Sequence, residues 1–496
     1  MNIYSGQTAL VLGLGESGLA MARWLAHCGA RVRVADTRNE PERLPILRAE
    51  IPDAEFIAGE FQADLLNDVS FLALSPGLSP RKELREILAA AQAAGMPAWG
   101  EVELFAQALA ALKQETEYSP RLLAITGTNG KTTVTSLTGL LCQRAGLSTR
   151  IAGNISPSML DVLLKDLQQQ QLPEVWVLEL SSFQLHSCYS LQADAATVLN
   201  LSQDHLDWHG EMAEYAADKA RIFGSQTLQV LNRDDAQVMA MAKPGLKQWH
   251  FTVNPPQQAG DFGLLTEHDM TWLAYAEADE TEVTGRRRKN QAEPEAVVKR
   301  LMPADALQIR GQHNAMNALA ALALCRAIGI PFAHLLHGLR QYRGEPHRVE
   351  LIATVAGIEF IDDSKGTNVG ATVAALKGLG HGQDLQKIVL IAGGEGKGQD
   401  FSALTDPLAR YVKFVCLIGK ASAELAQIAS NAGIQFQQCA SLPEAVNAAT
   451  QQATAADMVL LSPACASLDM FRNYAHRAEV FAQAVREFAL DQGEVS

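Results

Sequence analysis

Residues 121–144 read R-L-L-A-I-T-G-T-N-G-K-T-T-V-T-S-L-T-G-L-L-C-Q-R, and the chemistry of the chain is organised around them. Arg121–Ile125 is an apolar, strand-like run, Thr126–Thr133 a glycine-rich turn, and Val134–Arg144 a helical pattern. A strand, such a turn and a helix N-terminus form a phosphate cradle, because backbone N–H groups point at the anion and the helix dipole adds partial positive charge. Gly127, Thr128, Asn129 and Gly130 supply the turn. Lys131 would reach the β- and γ-phosphates, and the hydroxyl of Thr132, followed by Thr133, would face Mg2+. The general pattern G-x-x-x-x-G-K-[ST] would place its first glycine at Ile125, so this loop is a more compact version. The alternative, a chance Gly-Thr-Asn-Gly turn beside a lysine, needs neither the strand before it nor the helix after it.

Upstream, a strand at Thr8–Leu12 leads into Gly13-Leu-Gly15-Glu-Ser17-Gly18, and a second strand, Arg31–Ala35, ends at Asp36. A G-x-G-x-x-G turn with an acid about 20 residues on is the dinucleotide-binding pattern. Alone it is a weak sign of NAD; what it establishes is a nucleotide-phosphate site at the end of the first strand of a doubly wound sheet. Asp36 and Thr37 would then contact the ribose or base. Val69–Leu74 ends in Ser75, Pro76 and Gly77, either a second loop on the same sheet edge or a plain turn. The polar stretch 112–120 reads as a linker.

Beyond the phosphate loop, Gly153 and Asn154 read as a turn. A strand at Val175–Leu178 ends at Glu179, and one at Ala195–Leu199 ends at Asn200-Leu-Ser-Gln-Asp-His205-Leu-Asp207. A carboxylate and an imidazole at neighbouring strand ends can hold Mg2+ or Mn2+ against phosphate oxygens. Each, taken singly, is more often a solvated rim acid or a structural histidine. Lys219, in a helical stretch Met212–Phe223, would pass as a surface lysine. Residues 278–300, with Arg286–Lys289, read as a mobile insertion rather than a nucleic-acid patch. Gly311–Asn317 enters an Ala/Leu-rich helix. From Glu345, strands at Glu359–Ile361, Ile388–Ala392, Phe414–Ile418 and Met458–Leu461 alternate with helices, predicting a third doubly wound sheet. Polar loops at Asp362–Asn368, Gly393–Lys397 and Ser462–Ser467 cluster at its strand ends and imply a second small-molecule site.

The chain has 496 residues, which suggests about three domains. Boundaries are expected at 1–116, 117–343 and 344–496, all α/β. With 48% apolar and 19% charged residues it is globular, and a net charge of −14 argues against a nucleic-acid partner. Seven scattered cysteines without a C-x-x-C pair suggest reduced thiols in a cytosolic protein. No basic n-region precedes the first strand, so no signal peptide is expected. Ala315–Ile330 is interrupted by Asn317, Arg326 and Gly329 and reads as a buried helix, not a membrane span.

Seven stretches, in this order, resemble the Mur ligases: the phosphate loop, E-L-S-S-F from Glu179, N-L-S-Q-D-H-L-D from Asn200, G-Q-H-N-A-M-N from Gly311, His347-Arg348, D-D-S-K-G-T-N from Asp362, and S-P-A-C-A-S-L-D-M-F from Ser462. These are ATP-dependent amide-forming enzymes that build the peptide of bacterial cell-wall precursors. The resemblance covers the chain apart from 278–300. It implies a Rossmann-like N-terminal domain, a phosphate-loop ATPase-like central domain and a Rossmann-like C-terminal domain. The opening V-L-G-L-G-E-S-G-L-A and the last motif imply UDP-N-acetylmuramoyl-L-alanine and D-glutamate as substrates beside ATP.

Residue by residue, the resemblance implies that Ser17, Gly18, Leu19 and Ala20 lie near the UDP phosphates, and Asp36 and Thr37 near the uridine. Ser75, Pro76 and Gly77 add contacts, and Asn154 and His205 line the sugar-peptide path. Gly127–Thr133 hold ATP, with Asn314 and Asn317 on the adenine side, Arg348 at the phosphates and Asp363 at the ribose. Two Mg2+ ions, for which Mn2+ could substitute, fall to Thr132, Glu179, His205 and Lys219, the last as a carbamate. D-glutamate falls to Lys365, Thr367, Lys397, Ser467 and Tyr474. The expected state is a cytoplasmic monomer with no membrane partner. Rival readings are an NAD(P)-dependent dehydrogenase, a nucleotide-regulated binding protein, and a ligase of the same chemistry with another amino acid.

Overall fold

The computed structural model describes residues 2–278, 296–380 and 387–494. Three sheets succeed one another along the chain. The first holds β1 (Thr8–Leu12), β2 (Arg31–Asp36), β3 (Glu55–Ala58), β4 (Phe71–Leu74) and β5 (Ala98–Gly100), all parallel, in the order 3-2-1-4-5. Its central strands are apolar on both faces because both are covered. Ala9 and Val11 pack with Trp24 and Phe105 on one side, while Leu10 and Leu12 pack with Leu72 and Ile87 on the other.

The central sheet has nine strands: β6 (Arg121–Thr126), β7 (Thr149–Gly153), β8 (Val175–Glu179), β9 (Ala195–Val198), β10 (Leu228–Asn232), β11 (Gln248–Thr252), β12 (Phe262–Glu267), β13 (Met270–Ala278) and β14 (Ala296–Pro303), in the order 14-13-12-11-10-9-6-8-7. The chain runs from β6 out to β7, back to β8, and then across β6 to β9. The strand order therefore reverses at β6, which puts the phosphate loop at the topological switch point, where ligands of such sheets bind. The helix Lys131–Arg144 packs behind it against the helix Gln312–Ala327.

The third sheet comprises β15 (Glu350–Val355), β16 (Ile358–Asp362), β17 (Ile388–Gly393), β18 (Val412–Ile418), β19 (Phe436–Gln438) and β20 (Met458–Leu461), in the order 15-16-20-17-18-19. It is parallel except for β15, which pairs antiparallel with β16. All seven cysteines are buried and unpaired. No helix among the described residues is long and apolar enough to cross a membrane.

Three local expectations change. The helix after the phosphate loop starts at Lys131, not Val134, because Gly130 (φ +84°) turns directly into it. Gly153 is no turn residue: it closes β7, opposite Glu179, a short half-polar strand with little periodicity to show. The margins of the expected insertion 278–300 are strand. Ala278 pairs with Ala296, Glu277 with Val297 and Ala276 with Val298, so the β-branched pair Val297–Val298 continues a hairpin ladder that the surrounding charges disguise. Residues 279–295, the rest of that insertion, lie outside the described residues.

Candidate active site at the central and C-terminal domain junction

The phosphate loop closes tightly on its neighbours. Gly127 and Gly130 both have positive φ, and a Cβ at Gly130 would stand 2.7 Å from Asn317 Oδ1. Asn129 is pinned on both sides by Asn200: its N–H donates to Asn200 Oδ1 (2.9 Å), and Asn200 Nδ2 donates to its carbonyl (3.1 Å). Thr128 Oγ1 accepts from the Ser202 N–H at 3.0 Å. Lys131 Nζ folds back and donates to the carbonyls of Gly127 and Thr128, both at 2.9 Å. Burial, with Arg348 nearby, lowers the Lys131 pKa against the opposing pull of Glu179 and Asp204. Asn200 lay within a quoted motif, yet nothing in the sequence distinguished its clamp on the loop from the role of its neighbours.

Glu179, at the end of β8, is buried; its Oε1 accepts from Asn154 Nδ2 at 2.9 Å, and its Oε2 is buried without a partner. It lines a cavity of about 540 Å3 together with Thr132, Asp204, His205, Lys365 and Lys397. His205 sits in left-handed backbone (φ +54°) ahead of the short helix Leu206–His209, with its ring edge-on to Phe183. Burial lowers its pKa against the attraction of Asp204, which favours the neutral imidazole, the form able to ligate. A hydroxyl, a neutral imidazole and a carboxylate with one unmatched oxygen, all facing one polar cavity, fit a hard divalent cation such as Mg2+ or Mn2+.

Lys219 is not the surface residue that its local sequence suggests. It is 1% exposed and lies beneath the phosphate loop, donating to Thr126 Oγ1 (3.2 Å) and the Gly127 carbonyl (3.0 Å). Burial, reinforced by Lys131, pushes its pKa well down, towards the neutral amine. It does not line the large cavity. The group of possible metal ligands that comes together among the described residues is a different one, His347, Glu350 and Asp362. There His347 Nδ1 stands 2.7 Å from Asp362 Oδ2, and the His347 N–H donates to Glu350. These contacts brace the turn that presents Arg348, whose Nη2 donates to Thr132 Oγ1 at 3.0 Å while its Nε is buried and unpartnered.

A second cavity, of about 290 Å3, opens beside the loop. Asn129, Gly130, Phe251, Asn314, Asn317 and Asp363 are among its walls. Asn314 Nδ2 donates to the Arg310 carbonyl and its Oδ1 accepts from Asn317, so the amide pair is fixed in orientation. Phe251, on β11, has no motif signal. Asp363 accepts from Ser462 Oγ at 2.7 Å. Burial raises its pKa to about 7, with Ser462 and Arg348 pulling the other way.

In the N-terminal domain a cavity of about 310 Å3 is lined by Gly13–Ser17, Asp36–Arg38 and Ser75–Leu78. Ser75 Oγ donates to the Gly13 carbonyl. Asp36 has both oxygens engaged within the domain: Oδ2 accepts from the Leu14 N–H (2.7 Å), and Arg38 binds both oxygens. Thr37 and Arg38 line the cavity beside it, with Arg38 Nε and Nη2 committed to Asp36; Arg38 has no sequence signal beyond its place after Asp36. Leu19 and Ala20 are corrections. Both are buried in the domain core, and the Leu19 N–H is used by the Gly15 carbonyl, so neither reaches the cavity. Gly18 is packed so closely that a Cβ would fall 1.9 Å from the Gly13 oxygen; its role is helix–strand approach.

From the C-terminal domain, Lys365, Thr367, Lys397 and Tyr474 line the large cavity, with the Lys365 ammonium 5.4 Å from the centre of the Tyr474 ring. Ser467 is the exception: it is 4% exposed and not part of that lining. Asn368 ties this domain to the phosphate loop, donating to Asn129 Oδ1 (3.1 Å) and Asp204 Oδ2 (3.3 Å). Its neighbours Lys365 and Thr367 are legible in the sequence, where Asn368 stands out only as the end of their loop.

Three α/β domains, a phosphate loop at a sheet switch point and a metal-competent acid–imidazole pair in a cavity shared with the last domain define a phosphate-loop ligase. The chain matches the Mur ligase middle domain over residues 125–325, the Mur ligase glutamate ligase domain over 347–465, and the Mur ligase MurD-like N-terminal domain over 7–100. It is 58% identical to the UDP-N-acetylmuramoylalanine--D-glutamate ligase of Cupriavidus pinatubonensis and 57% identical to that of Ralstonia nicotianae, in each case over 98% of this chain and 97% of the relative. In fold it resembles MurF from Acinetobacter baumannii (TM-score 0.56, 17% identity, 97% of this chain and 91% of that one). It also resembles MurC from Thermotoga maritima (TM-score 0.53, 18% identity, 97% and 99%). The chain belongs to the Mur ligase family of ATP-dependent, amide-bond-forming enzymes.

The raised Asp363 pKa has a definite sign. Between the ordinary carboxylate value and about 7 the native state holds a proton that the unfolded chain releases, so this residue's contribution to stability falls as pH rises through that window and is flat above it. Asp363→Asn removes the dependence. In ligand-free thermal unfolding, the Tm of Asp363→Asn minus that of wild type should be more positive at about pH 8 than at about pH 5.5. A difference that is unchanged or shrinks would show that the carboxyl is ionised throughout.

Proposed function

We propose that the chain joins the amine of D-glutamate to the carboxylate of UDP-N-acetylmuramoyl-L-alanine, with ATP converted to ADP and phosphate, in peptidoglycan precursor synthesis. The observation that carries this reading is the single cavity in which Thr132, Glu179 and His205 meet Lys365, Thr367, Lys397 and Tyr474. One wall suits a phosphoryl group and the other an amino acid. Relatives alike over nearly their whole length bear that activity in their names, which supports these substrates over those of other ligases.

The UDP moiety lies along Gly13–Gly18, Thr37, Arg38 and Ser75–Gly77, with Asp36 holding the loop in shape. The sugar-peptide passes Asn154 and His205 towards the large cavity. ATP sits with its base by Asn314 and Asn317, its ribose at Asp363, and its phosphates on Gly127–Thr133. Lys131 exchanges its two loop carbonyls for phosphate oxygens, and the free Nε of Arg348 meets the same group. A carboxylate is a poor acyl donor. Its oxygen therefore attacks the γ-phosphorus in line, ADP leaves, and an acyl phosphate results. The glutamate amine adds to the acyl carbon, its nitrogen gives up a proton to solvent, and the tetrahedral intermediate expels phosphate. No protein nucleophile takes part, so positioning and electrostatics supply the catalysis. Mg2+, held by Thr132, Glu179, His205 and a carbamate of Lys219, would neutralise charge on the phosphoryl group.

The surroundings of Lys219 support the carbamate reading. An ammonium packed against Lys131 under a phosphate site is electrostatically misplaced, whereas the neutral amine that burial favours is the form that reacts with CO2. The product is an anionic oxygen ligand. A dehydrogenase would leave the phosphate loop, Glu179 and His205 idle, and a mere binding protein would show no ATP turnover.

Phosphate release should be measured with UDP-N-acetylmuramoyl-L-alanine against a panel of D- and L-amino acids. D-glutamate alone is expected to support turnover; equal rates with L-glutamate or a diamino acid would overturn the assignment. The carbamate has its own check. Lys219→Ala should lose at least about 90% of turnover, equivalent to about 1.4 kcal/mol of transition-state stabilisation, and short carboxylic acids in the buffer should restore part of it. A variant that keeps most of its activity would return Lys219 to a packing role.

A further inference from the structure

Arg477, on the helix Tyr474–Asp491, is 0% exposed, yet it makes no ion pair among the described residues. Its donors go to neutral oxygens: Nε to Ser364 Oγ (3.0 Å), Nη2 to the Ser364 carbonyl (2.8 Å) and Nη1 to the Cys465 carbonyl (3.2 Å). Ser364 Oγ in turn donates to the Tyr474 carbonyl at 2.8 Å. Burying a cation without a partner charge is costly, and a well-packed apolar residue would serve stability as well or better. Its presence at this point therefore calls for a task.

The task is visible in what the guanidinium joins. Ser364 precedes Lys365 and Thr367, Cys465 lies two residues before Ser467, and Arg477 stands one helical turn after Tyr474. The three segments come from the ends of β16 and β20 and from the start of the last helix, elements that share no continuous backbone. A planar fork with fixed donor directions holds three such oxygens in one register, whereas the three donors of an ammonium rotate on a flexible stem.

We propose that Arg477 is a positioning residue for the amino-acid substrate: it clamps the Lys365–Thr367 loop and the start of the Tyr474 helix, which line the large cavity, against the buried Cys465–Ser467 loop. The inference rests on the reading that these segments receive glutamate. It adds a reason for acidic specificity, because the buried cation lies behind a wall that already displays Lys365 and Lys397, and their combined potential matches an amino acid with two carboxylates. Burial lowers the Arg477 pKa to about 10, with nearby Cys465, Asp469 and Asp362 opposing, so the group stays charged at neutral pH.

The test uses the full-length enzyme with Arg477→Met and Arg477→Lys, measuring kcat and the KM for each of the three substrates by phosphate release. The clamp predicts that Arg477→Met raises the KM for D-glutamate at least about tenfold, leaves the KM for ATP within about twofold, and that Arg477→Lys falls between Met and wild type. A glutamate KM within about twofold of wild type in both variants, or a parallel rise in all three KM values, would overturn it. If Arg477→Met does not fold, Arg477→Lys decides alone by the same split. Lys365→Ala separates the inference from its premise. If that variant raises the glutamate KM while neither Arg477 variant that folds does, the clamp fails and the site stands. If Lys365→Ala leaves it unchanged, the amino-acid site is misplaced and the clamp falls with it.

Discussion

The close approach of backbone to backbone around Gly127 and Gly130 is the constraint on which the rest depends. Gly127 packs 3.0 Å, Cβ position to Cβ, from Leu199 at the end of β9, and Gly130 abuts the Asn317 amide. With no side chain in the way, the ends of β6, β8 and β9 converge, and the helix Gln312–Ala327 comes up against the loop. Glu179, Asn200 and His205 then meet Lys131 and Thr132 although they are dozens of residues apart. A side chain at Gly127 would run into Leu199 and the Asn200 backbone, and one at Gly130 into the Asn317 amide, so either would force the loop away from the strand end and helix that hold it.

Charge is the second organising feature. Lys131, Lys219, Arg348 and Lys365 crowd one region, and burial depresses the pKa of all three lysines. Glu179 and Asp204 offset only part of this. Lys131 donates to the carbonyls of Gly127 and Thr128, and Lys219 shares the Gly127 carbonyl. Such a site is organised to receive negative charge, and the Arg348–Thr132 and Asn368–Asn129 contacts bring the C-terminal domain to the loop where that charge would sit.

Much of this was legible in the sequence because the chemistry sits in contiguous motifs at strand ends. The phosphate loop, Glu179, His205 and the Asp362–Asn368 loop each follow an apolar run that can only be a buried strand, and strand ends are where ligands bind in such sheets. What stayed hidden depends on tertiary approach. Asn200 and Asn368 act by hydrogen bonds to Asn129 from other strands or another domain. Leu19 and Ala20 directly follow the fingerprint but turn into the core, since a helix shows only one face to the loop. Phe251 and Arg477 carry no pattern at all. The hairpin β13–β14 was obscured because its exposed positions bear charges that resemble those of a linker.

The central claim, that ATP activates the substrate carboxylate as an acyl phosphate in the cavity between phosphate loop and amino-acid loops, can be tested by following oxygen. UDP-N-acetylmuramoyl-L-alanine labelled with 18O in both oxygens of the alanine carboxylate should be turned over with ATP and D-glutamate, and the released phosphate analysed by mass spectrometry. The account predicts one labelled oxygen in each phosphate formed, because the oxygen that attacks the γ-phosphorus leaves with it. Phosphate free of label, with amide product formed at the normal rate, would contradict it.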